Sequence, residues 1–235
     1  MNDLEKNLRA VQARIHAAAE SVRRDPNEVT LVAVSKTFSA ENIIAAYELG
    51  VRHFGENRVE EAQAKIQKVK NQNPSAAITW HLVGHLQRRK TRDAVELFDV
   101  IHSVDSVALA QKINQRLAAN KRIAILLEVN ISGEQSKSGF APEPRADFFA
   151  AVKEILNCQN LDAQGLMTIA PIVAQPPDAR PYFRALRELR DELREKFPDC
   201  AWQHLSMGMT DDFEAAIAEG ATMLRIGRAI FGERT

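Results

Sequence analysis

Lys36 is the residue of this sequence with the clearest chemical potential, because it directly follows an apolar run. Leu31 to Val34 and then Ser35 precede it, and a run of this length predicts a buried strand of a parallel sheet. The carboxyl ends of such strands are where α/β proteins bind ligands. A lysine that is half desolvated there can lose its proton near neutral pH and attack a carbonyl carbon. The alternative is a lysine that leaves the strand for solvent, as most lysines do.

A second group of residues could bind an anion near the end of the chain. Ser206 and Gly227 follow the seventh and eighth predicted strands, and Arg228 comes next. In α/β barrels the loops after these two strands often hold a phosphate group on their backbone amides. Gly227 would let the backbone approach an anion closely, Ser206 would add a hydroxyl donor and Arg228 a positive charge. Two ordinary glycine turns would give the same pattern.

Arg225 would link the anion site to the interior of the fold. In residues 223–226 the alternation puts Arg225 on the opposite side from its two apolar neighbours. If those neighbours face the helices, Arg225 points inward, where it needs a partner because it cannot shed its charge. That partner is either a core carboxylate such as Glu128 or a ligand atom. A phosphate site, an inward arginine and a strand-end lysine suit pyridoxal 5′-phosphate (PLP), whose aldehyde would form an imine with Lys36.

Eight strand–helix alternations would position these residues. The predicted strands are the run from residue 31 that has Lys36 at its carboxyl end, a short strand that runs into a loop within residues 53–57, and residues 79–83, 100–103, 123–129, part of 161–169, 202–206 and 223–226. Helices between strands imply parallel βαβ units, and eight of them predict a (β/α)8 TIM barrel, a single domain over residues 1–235. An additional N-terminal helix, residues 3 to about 23, would plug or flank it. A doubly wound open sheet is the alternative, but no glycine-rich dinucleotide fingerprint follows the first strand.

Composition limits the classes of function. Lys plus Arg and Asp plus Glu number 31 each, so the net charge is zero, which argues against broad binding to nucleic acid or to membrane surfaces. The two cysteines, Cys158 and Cys200, have no metal or redox spacing. The N-terminus has no apolar signal core, and no segment is long and apolar enough to cross a membrane. We therefore expect a soluble cytoplasmic protein.

The sequence also contains residues that could form two other kinds of site, one for nucleic acid and one for a metal ion. Nucleic acid could contact a basic cluster of Arg88, Arg89, Lys90 and Arg92, although in a neutral chain a solvated helix face explains such a cluster better. His81 and His85 could bind a metal, but their stretch is predicted to be a strand and a glycine turn, and no third ligand accompanies them. We expect neither a nucleic-acid partner nor a metal.

Seven motifs, taken together and in order, resemble those of the pyridoxal phosphate homeostasis protein family, whose fold is like the N-terminal barrel of alanine racemase. The resemblance runs nearly the whole length of the chain, and no single motif would be specific. The motifs are LVAVSKT (31–37), HFGEN (53–57), WHLVGHLQ (80–87), NISGEQSKSG (130–139), GLMT (165–168), SMGMT with two following aspartates (206–212) and RIGRAIFG (225–232).

The resemblance implies a role for each candidate residue. Lys36 would be the imine lysine, Arg225 would face the pyridine nitrogen, and Asn57 would lie near the cofactor. The phosphate would be held by Ser206, Gly227 and Arg228. Arg228 stands where many relatives carry a threonine or another small residue, so we assign its role to the backbone amide. Lys137, in the loop 130–139, would be either a second lysine near the site or a solvated one.

The same resemblance favours binding over catalysis. An arginine at the pyridine nitrogen keeps that nitrogen unprotonated, which makes the ring a poorer electron sink. Racemisation needs an acid/base on each face of the substrate carbon, and related racemases take the second one, a tyrosine, from an additional β-domain. The sequence ends at Thr235, without such a domain, and its tyrosines, Tyr47 and Tyr182, lie in predicted helices.

We therefore expect a monomeric, non-catalytic carrier with no catalytic residues, which holds PLP on Lys36 and buffers it or passes it to PLP-dependent apoenzymes. The alternative is a PLP-dependent amino-acid racemase or another Schiff-base lysine enzyme.

Overall fold

The strands of the protein form one closed parallel barrel in chain order, with the last strand paired to the first. The computed structural model describes residues 3–233. This architecture confirms the predicted (β/α)8 barrel and excludes the open sheet. The strands are β1 Thr30–Val34, β2 His53–Glu56, β3 Thr79–Leu82, β4 Val100–Val104, β5 Ile123–Glu128, β6 Leu161–Met167, β7 His204–Ser206 and β8 Met223–Ile226.

Helices surround the barrel and cover the outward faces of its strands. They are α1 Asp3–Ser21, α2 Ala40–Glu48, α3 Val59–Gln72, α4 Thr91–Leu97, α5 Val107–Asn114, α6 Arg145–Leu156, α7 Arg180–Lys196, α8 Phe213–Ala218 and α9 Arg228–Phe231. Within residues 3–233, no helix combines the length and the apolar composition needed to cross a bilayer.

Apolar residues pack on both sides of the strands. Outward-facing residues such as Phe54, Leu224 and Ile226 join the main core between strands and helices. Two smaller apolar clusters lie apart from this core, one of Val32, Val34 and Val83 and one of Leu126, Met167 and Met223. Because side chains alternate along a strand, these two clusters fill the barrel interior, and Arg225, two residues after Met223, points inward as the alternation predicts.

The N-terminal helix α1 flanks the barrel rather than plugging it. Leu8, Val11, Ile15 and Ala19 form its buried face, at the spacing of one side of a helix, and α1 packs on α8 and α9. The Asn7 side chain donates a hydrogen bond to the Ile230 carbonyl at 3.2 Å. The first helix of the chain thus holds the last helix, α9, in place.

Two helical elements could be defined only from the structure. Helix α5 ends at Asn114, because the amides of Arg116 and Leu117 bond back three residues and tighten the chain into a turn. The short helix α9 was not predicted, since its four residues are too few to show a helical period.

Candidate functional site

A cleft of about 510 Å³ lies at the carboxyl ends of the strands, where β1, β2 and β8 meet. Five of the six predicted site residues line it: Lys36, Asn57, Arg225, Gly227 and Arg228. The sixth, Ser206, is fully buried directly behind Arg225. Other residues of the wall, which had not been proposed as site residues, are Val34, Phe38, Val83, Ile169, Met209, Thr210, Asp211, Gly232 and Glu233.

The loop that carries Lys36 is fixed by polar contacts on both sides of the lysine. On the preceding side, Ser35 donates its hydroxyl to Glu56 Oε1 at 2.7 Å. Lys65 Nζ on α3 donates to the Ser35 carbonyl at 2.7 Å and to the same carboxylate at 2.9 Å. On the following side, the Thr37 amide donates to the carboxylate of Glu61. The backbone that carries Lys36 is therefore held in place by hydrogen bonds at Ser35 and at Thr37.

Thr37 itself adopts a conformation that is unusual for its residue type. Its φ is 69°, in the left-handed region, which a β-branched residue enters only at a cost of about 1–3 kcal/mol. The hydrogen bond from its amide to Glu61, and the ion pair of Glu61 with Lys65 at 2.6 Å, help to offset that cost. Strain of this kind is commonly found next to functional residues.

Glu56 is the buried centre of these contacts and points toward α3 rather than into the cleft. It is fully buried, and burial raises the pKa of its carboxyl, against the opposing effects of the Ser35 hydrogen bond and the Lys65 charge. Lys65 is itself largely buried and supplies the charge that keeps the carboxylate paired. From its buried position between β2 and α3, Glu56 thus supports the loop that carries Lys36.

Asn57 is placed in the cleft wall by a close approach between β2 and β3. A Cβ on Gly84 would lie 2.3 Å from the Asn57 carbonyl oxygen, a distance that no side chain could accept. Glycine at position 84 therefore lets the chain after β3 pass against Asn57 and fixes its position beside Lys36.

Arg225 forms the buried end of the cleft. Its Nη1 donates to Ser206 Oγ at 2.7 Å and its Nη2 to the Thr168 carbonyl at 2.9 Å. Burial lowers the pKa of the guanidinium to about 10, while the charges of Asp212 and Glu128 oppose that lowering. Arg225 therefore stays cationic at neutral pH, and both of these hydrogen bonds end on neutral oxygens.

The loops after β7 and β8 form the opposite end of the cleft. A Cβ on Gly227 would lie 2.9 Å from the Val34 carbonyl oxygen, so this backbone runs tightly against the end of β1. Gly208, with φ of 93°, occupies the left-handed region, and a Cβ there would lie 2.7 Å from that of Ala216. Thr210 lines the cleft nearby. Glycine is therefore needed at both turns, and their backbones are brought close to the cleft.

The Arg228 side chain is directed away from this tight backbone. Its Nη2 donates to the exposed Asp211 carboxylate at 2.6 Å, and about half of the side chain is exposed to solvent. The Arg228 guanidinium is therefore paired at the surface, and a role for the Arg228 backbone amide in binding an anion stays a prediction.

Lys137 and the basic cluster lie outside the cleft. Lys137 borders a neighbouring cavity of about 270 Å³ and pairs with Glu134 at 2.6 Å. In the basic cluster, Lys90 pairs with Glu60 at 2.8 Å, and the arginines are exposed. This is the solvated surface that the neutral composition favours.

The two histidines considered as metal ligands are not brought together. His81 lies inside the barrel, whereas the exposed His85 pairs with Asp105 at 3.2 Å. Among residues 3–233, no group of three or more His, Cys, Asp or Glu side chains is arranged to hold a metal ion.

Neither tyrosine is placed at the cleft. The Tyr47 hydroxyl accepts a hydrogen bond from the Ala77 amide, in the segment leading into β3, and so lies at the amino-terminal end of the barrel. Tyr182 packs against the core from α7.

The alanine racemase N-terminal domain family matches residues 6–235 of the chain. A pyridoxal phosphate homeostasis protein of Aquifex aeolicus is 42% identical over 235 residues, covering 100% of this chain and 99% of the relative.

Solved structures agree with this match. The structure of PipY from Synechococcus elongatus PCC7942 with PLP bound has a TM-score of 0.80 at 38% identity, covering 93% of this chain and 100% of PipY. An alanine racemase of Clostridium difficile 630 has a TM-score of 0.71 at 16% identity, covering 99% of this chain but 56% of the racemase. The racemase likeness therefore concerns the barrel fold.

Proposed function

Because this chain belongs to the pyridoxal phosphate homeostasis proteins, a family built on the alanine racemase N-terminal domain, we propose that it binds PLP in the cleft between Lys36 and Arg225. It would hold the compound reversibly, buffer its free concentration and pass it to PLP-dependent apoenzymes. The observation that carries this proposal is the placement of an amine, a buried cationic donor and a tight glycine backbone around one cleft.

The residues of the cleft fit the three functional groups of PLP. The compound supplies an aldehyde that condenses with an amine, and Lys36 Nζ is the amine on the cleft wall. Arg225 offers a donor to the pyridine nitrogen, which is an acceptor when unprotonated. The backbone at Gly227 and Arg228, with the Thr210 hydroxyl, suits an anion because amide and hydroxyl groups donate to phosphate oxygens.

The chain's own residues favour holding the ligand over chemistry on it. A cationic arginine at the pyridine nitrogen disfavours protonation of that nitrogen, which weakens the ring as an electron sink. Neither tyrosine of the chain is among the residues that line the cleft. The curated relatives are named homeostasis proteins rather than enzymes. These observations support a non-catalytic carrier.

Covalent trapping tests the ligand and the lysine together. Purified protein is mixed with PLP, reduced with borohydride, digested and analysed by mass spectrometry. We expect a pyridoxyl adduct on the peptide that contains Lys36, an unmodified Lys137 peptide as the internal control, and no adduct in Lys36→Ala. An adduct on other lysines with Lys36 unmodified would reject the proposed site.

The carrier role is tested by separate measurements. We expect the PLP-loaded protein to reactivate a PLP-dependent apoenzyme, and Lys36→Ala to lose this donation. Amino-acid racemisation by the purified protein that disappears in Lys36→Ala would contradict the non-catalytic role and support the racemase alternative.

A further inference from the structure

A file of hydrogen-bonded side chains runs through the barrel interior, from the cleft toward the amino-terminal end of the strands. Ser206 Oγ, which accepts from Arg225, lies 2.9 Å from His102 Nδ1. His102 Nε2 lies 2.8 Å from His81 Nδ1, and His81 Nε2 lies 3.0 Å from His53 Nδ1. His81 and His102 are almost completely buried, whereas His53, at the start of β2, is partly exposed.

Donor and acceptor chemistry gives this histidine file a single direction. Arg225 can only donate, so the Ser206 oxygen accepts from it, and the buried hydroxyl hydrogen, which also needs an acceptor, is directed at His102 Nδ1 at 2.9 Å. A neutral His102 then carries its proton on Nε2 and donates to His81 Nδ1. By the same step His81 donates from Nε2 to His53 Nδ1. With this assignment of the imidazole protons, every bond in the file points away from Arg225.

This direction requires each histidine of the file to be neutral. Burial lowers the pKa of His102 well below its ordinary value, and it lowers that of His81 to about 3. The charges that face the file act in the same sense: His53 and His204 face His81, while His81, Arg225 and His204 face His102. Burial also lowers the pKa of His53, the most exposed member, which faces His81 and His204.

The histidine file explains how Arg225 can be buried as a cation and still have N–H groups available to a ligand. A carboxylate hydrogen-bonded to Arg225 would neutralise it and occupy its donors. Instead, the Ser206 hydroxyl and the three imidazoles turn their acceptor sides toward the cation, and hydrogen bonds aligned in one direction polarise one another. Arg225 is thereby stabilised by neutral groups, and its remaining N–H groups can serve an acceptor in the cleft.

We propose that His102, His81 and His53 are positioning residues for ligand binding: their one-way file holds Ser206 and Arg225 as a donor toward an unprotonated aromatic ring nitrogen, and protonation of His53 at the far end of the barrel weakens that donor. The inference rests on the proposed function and adds to it the requirement for a ring-nitrogen acceptor. Protonated His53 carries a proton on Nδ1, can no longer accept from His81, and so opposes the direction of the whole file.

The direction of the file is tested without any ligand. Nitrogen NMR of the ligand-free protein, labelled with ¹⁵N in its histidine rings, distinguishes Nδ1–H from Nε2–H and from the imidazolium. We expect His81 and His102 to remain neutral, with the proton on Nε2, as the pH is lowered through the ordinary histidine pKa of about 6.5. A proton on Nδ1 of either residue would overturn the proposal, even if PLP binds.

The positioning role is tested by two variants at position 102. His102→Leu removes the acceptor of the Ser206 proton, whereas His102→Asn offers an amide oxygen near the place of Nδ1. We expect His102→Leu to weaken PLP binding at least tenfold and His102→Asn to restore most of the affinity. If His102→Leu folds and binds like the parent protein, the file does not position Arg225. Should the leucine variant fail to fold, the NMR result still decides.

The coupling to His53 is tested by the pH dependence of PLP affinity. His53→Gln keeps an acceptor for His81 but cannot be protonated in this range. We expect the parent protein and the control His16→Gln to lose affinity as pH falls through the titration of His53, and His53→Gln to lose less over the same range. Identical pH profiles for all three proteins would contradict the coupling.

A further comparison distinguishes failure of the file from failure of PLP binding. It compares PLP with an analogue that keeps the aldehyde and the phosphate but has carbon in place of the ring nitrogen. We expect the parent protein to prefer PLP and His102→Leu to lose most of that preference. An equal preference in both proteins would reject the file while leaving PLP binding intact. A lack of PLP binding by the parent protein would reject the proposed function itself, and the NMR test of the file would still stand.

Discussion

Two arginines only three positions apart, Arg225 and Arg228, occupy very different environments. Arg225 is buried and donates to Ser206 and Thr168, whereas Arg228 pairs with Asp211 at the surface. A hydrogen bond to a charged group is stronger when it is shielded from water, while an exposed ion pair adds little. At the residue scale, we therefore propose that the buried charge of Arg225 contributes more to ligand binding than the exposed charge of Arg228.

Substituting each arginine in turn tests this difference. We expect Arg225→Met to weaken PLP binding by about ten- to 150-fold, which corresponds to one charged hydrogen bond of about 1.5–3 kcal/mol. Arg228→Ala should change the affinity by at most about fivefold, since an exposed ion pair contributes about 0–1 kcal/mol. Titrations followed by absorbance measure both affinities. Equal losses in the two variants would show that the Arg228 side chain also binds the ligand.

The sequence predicted that Lys36, Arg225 and Gly227 lie at strand ends around one cleft, as the structure has them, because strand alternation and strand ends can be derived from residue order alone. It could not give the partners of Arg225: Ser206 and Thr168 reach it from β7 and from the end of β6. Nor could it reveal the histidine file. The available signal was a histidine on each of β2, β3, β4 and β7, which becomes meaningful only once the barrel is closed.

At the scale of elements, helix α3 determines how firmly the Lys36 loop is held. Lys65, on its buried side, bonds the Ser35 carbonyl and the buried Glu56 carboxylate. Lys68, one turn later, pairs with Glu41 of α2, and both of these side chains are about half exposed. The same helix therefore carries a buried and an exposed lysine–glutamate pair.

We expect Lys65→Met to lower the free energy of unfolding by about 3–5 kcal/mol at neutral pH, because it leaves Glu56 as an unpaired buried charge. Lys68→Met, the matched control, should leave the free energy of unfolding nearly unchanged, because an exposed ion pair contributes little. Denaturant unfolding curves measure both values. A similar loss in the two variants would contradict the support that Lys65 gives to this loop.

The loss of unfolding free energy in Lys65→Met should also depend on pH, and the protonation of Glu56 determines whether the loss grows or shrinks. Burial raises the pKa of this carboxyl, so its protonated form is favoured in the folded state, and removal of Lys65 strengthens that preference. Stability from such a group is present below its unfolded pKa and is lost as pH rises through its folded pKa. We therefore expect the defect of Lys65→Met to shrink from neutral to mildly acidic pH. A defect that grows on acidification would be inconsistent with an unpaired Glu56.

At the scale of the whole molecule, closure of the barrel joins the two ends of the chain. β8 pairs with β1, and α1 packs on α8 and α9. The cleft combines residues from the start of the barrel, such as Lys36, with residues from its end, such as Gly227. The strand order followed from the alternation of strands and helices, whereas the docking of α1 on the end of the chain required the closed structure.

PLP binding should therefore raise the free energy of unfolding, while a substitution outside the cleft should lower that free energy without changing the increase that PLP gives. Leu8 of α1 is buried and is not among the residues that line the cleft, so Leu8→Ala should lower the free energy of unfolding by about 2–5 kcal/mol. Val22→Ala, at an exposed position, should change it by less than about 0.5 kcal/mol.

Saturating PLP, at about 100 times its dissociation constant, should add about 2.7 kcal/mol to the parent protein and to Leu8→Ala alike. Unfolding curves with and without PLP measure these increments. An increment missing from Leu8→Ala alone would show that α1 shapes the cleft directly.

The most direct test of the central claim is a crystal structure of this protein grown with PLP. We predict electron density for the ring that is continuous with Lys36 Nζ, with the ring nitrogen beside Arg225 and the phosphate against the backbone of Gly227 and Arg228. Density that places the compound elsewhere, or a Lys36 side chain without it in crystals that contain bound PLP, would contradict the account.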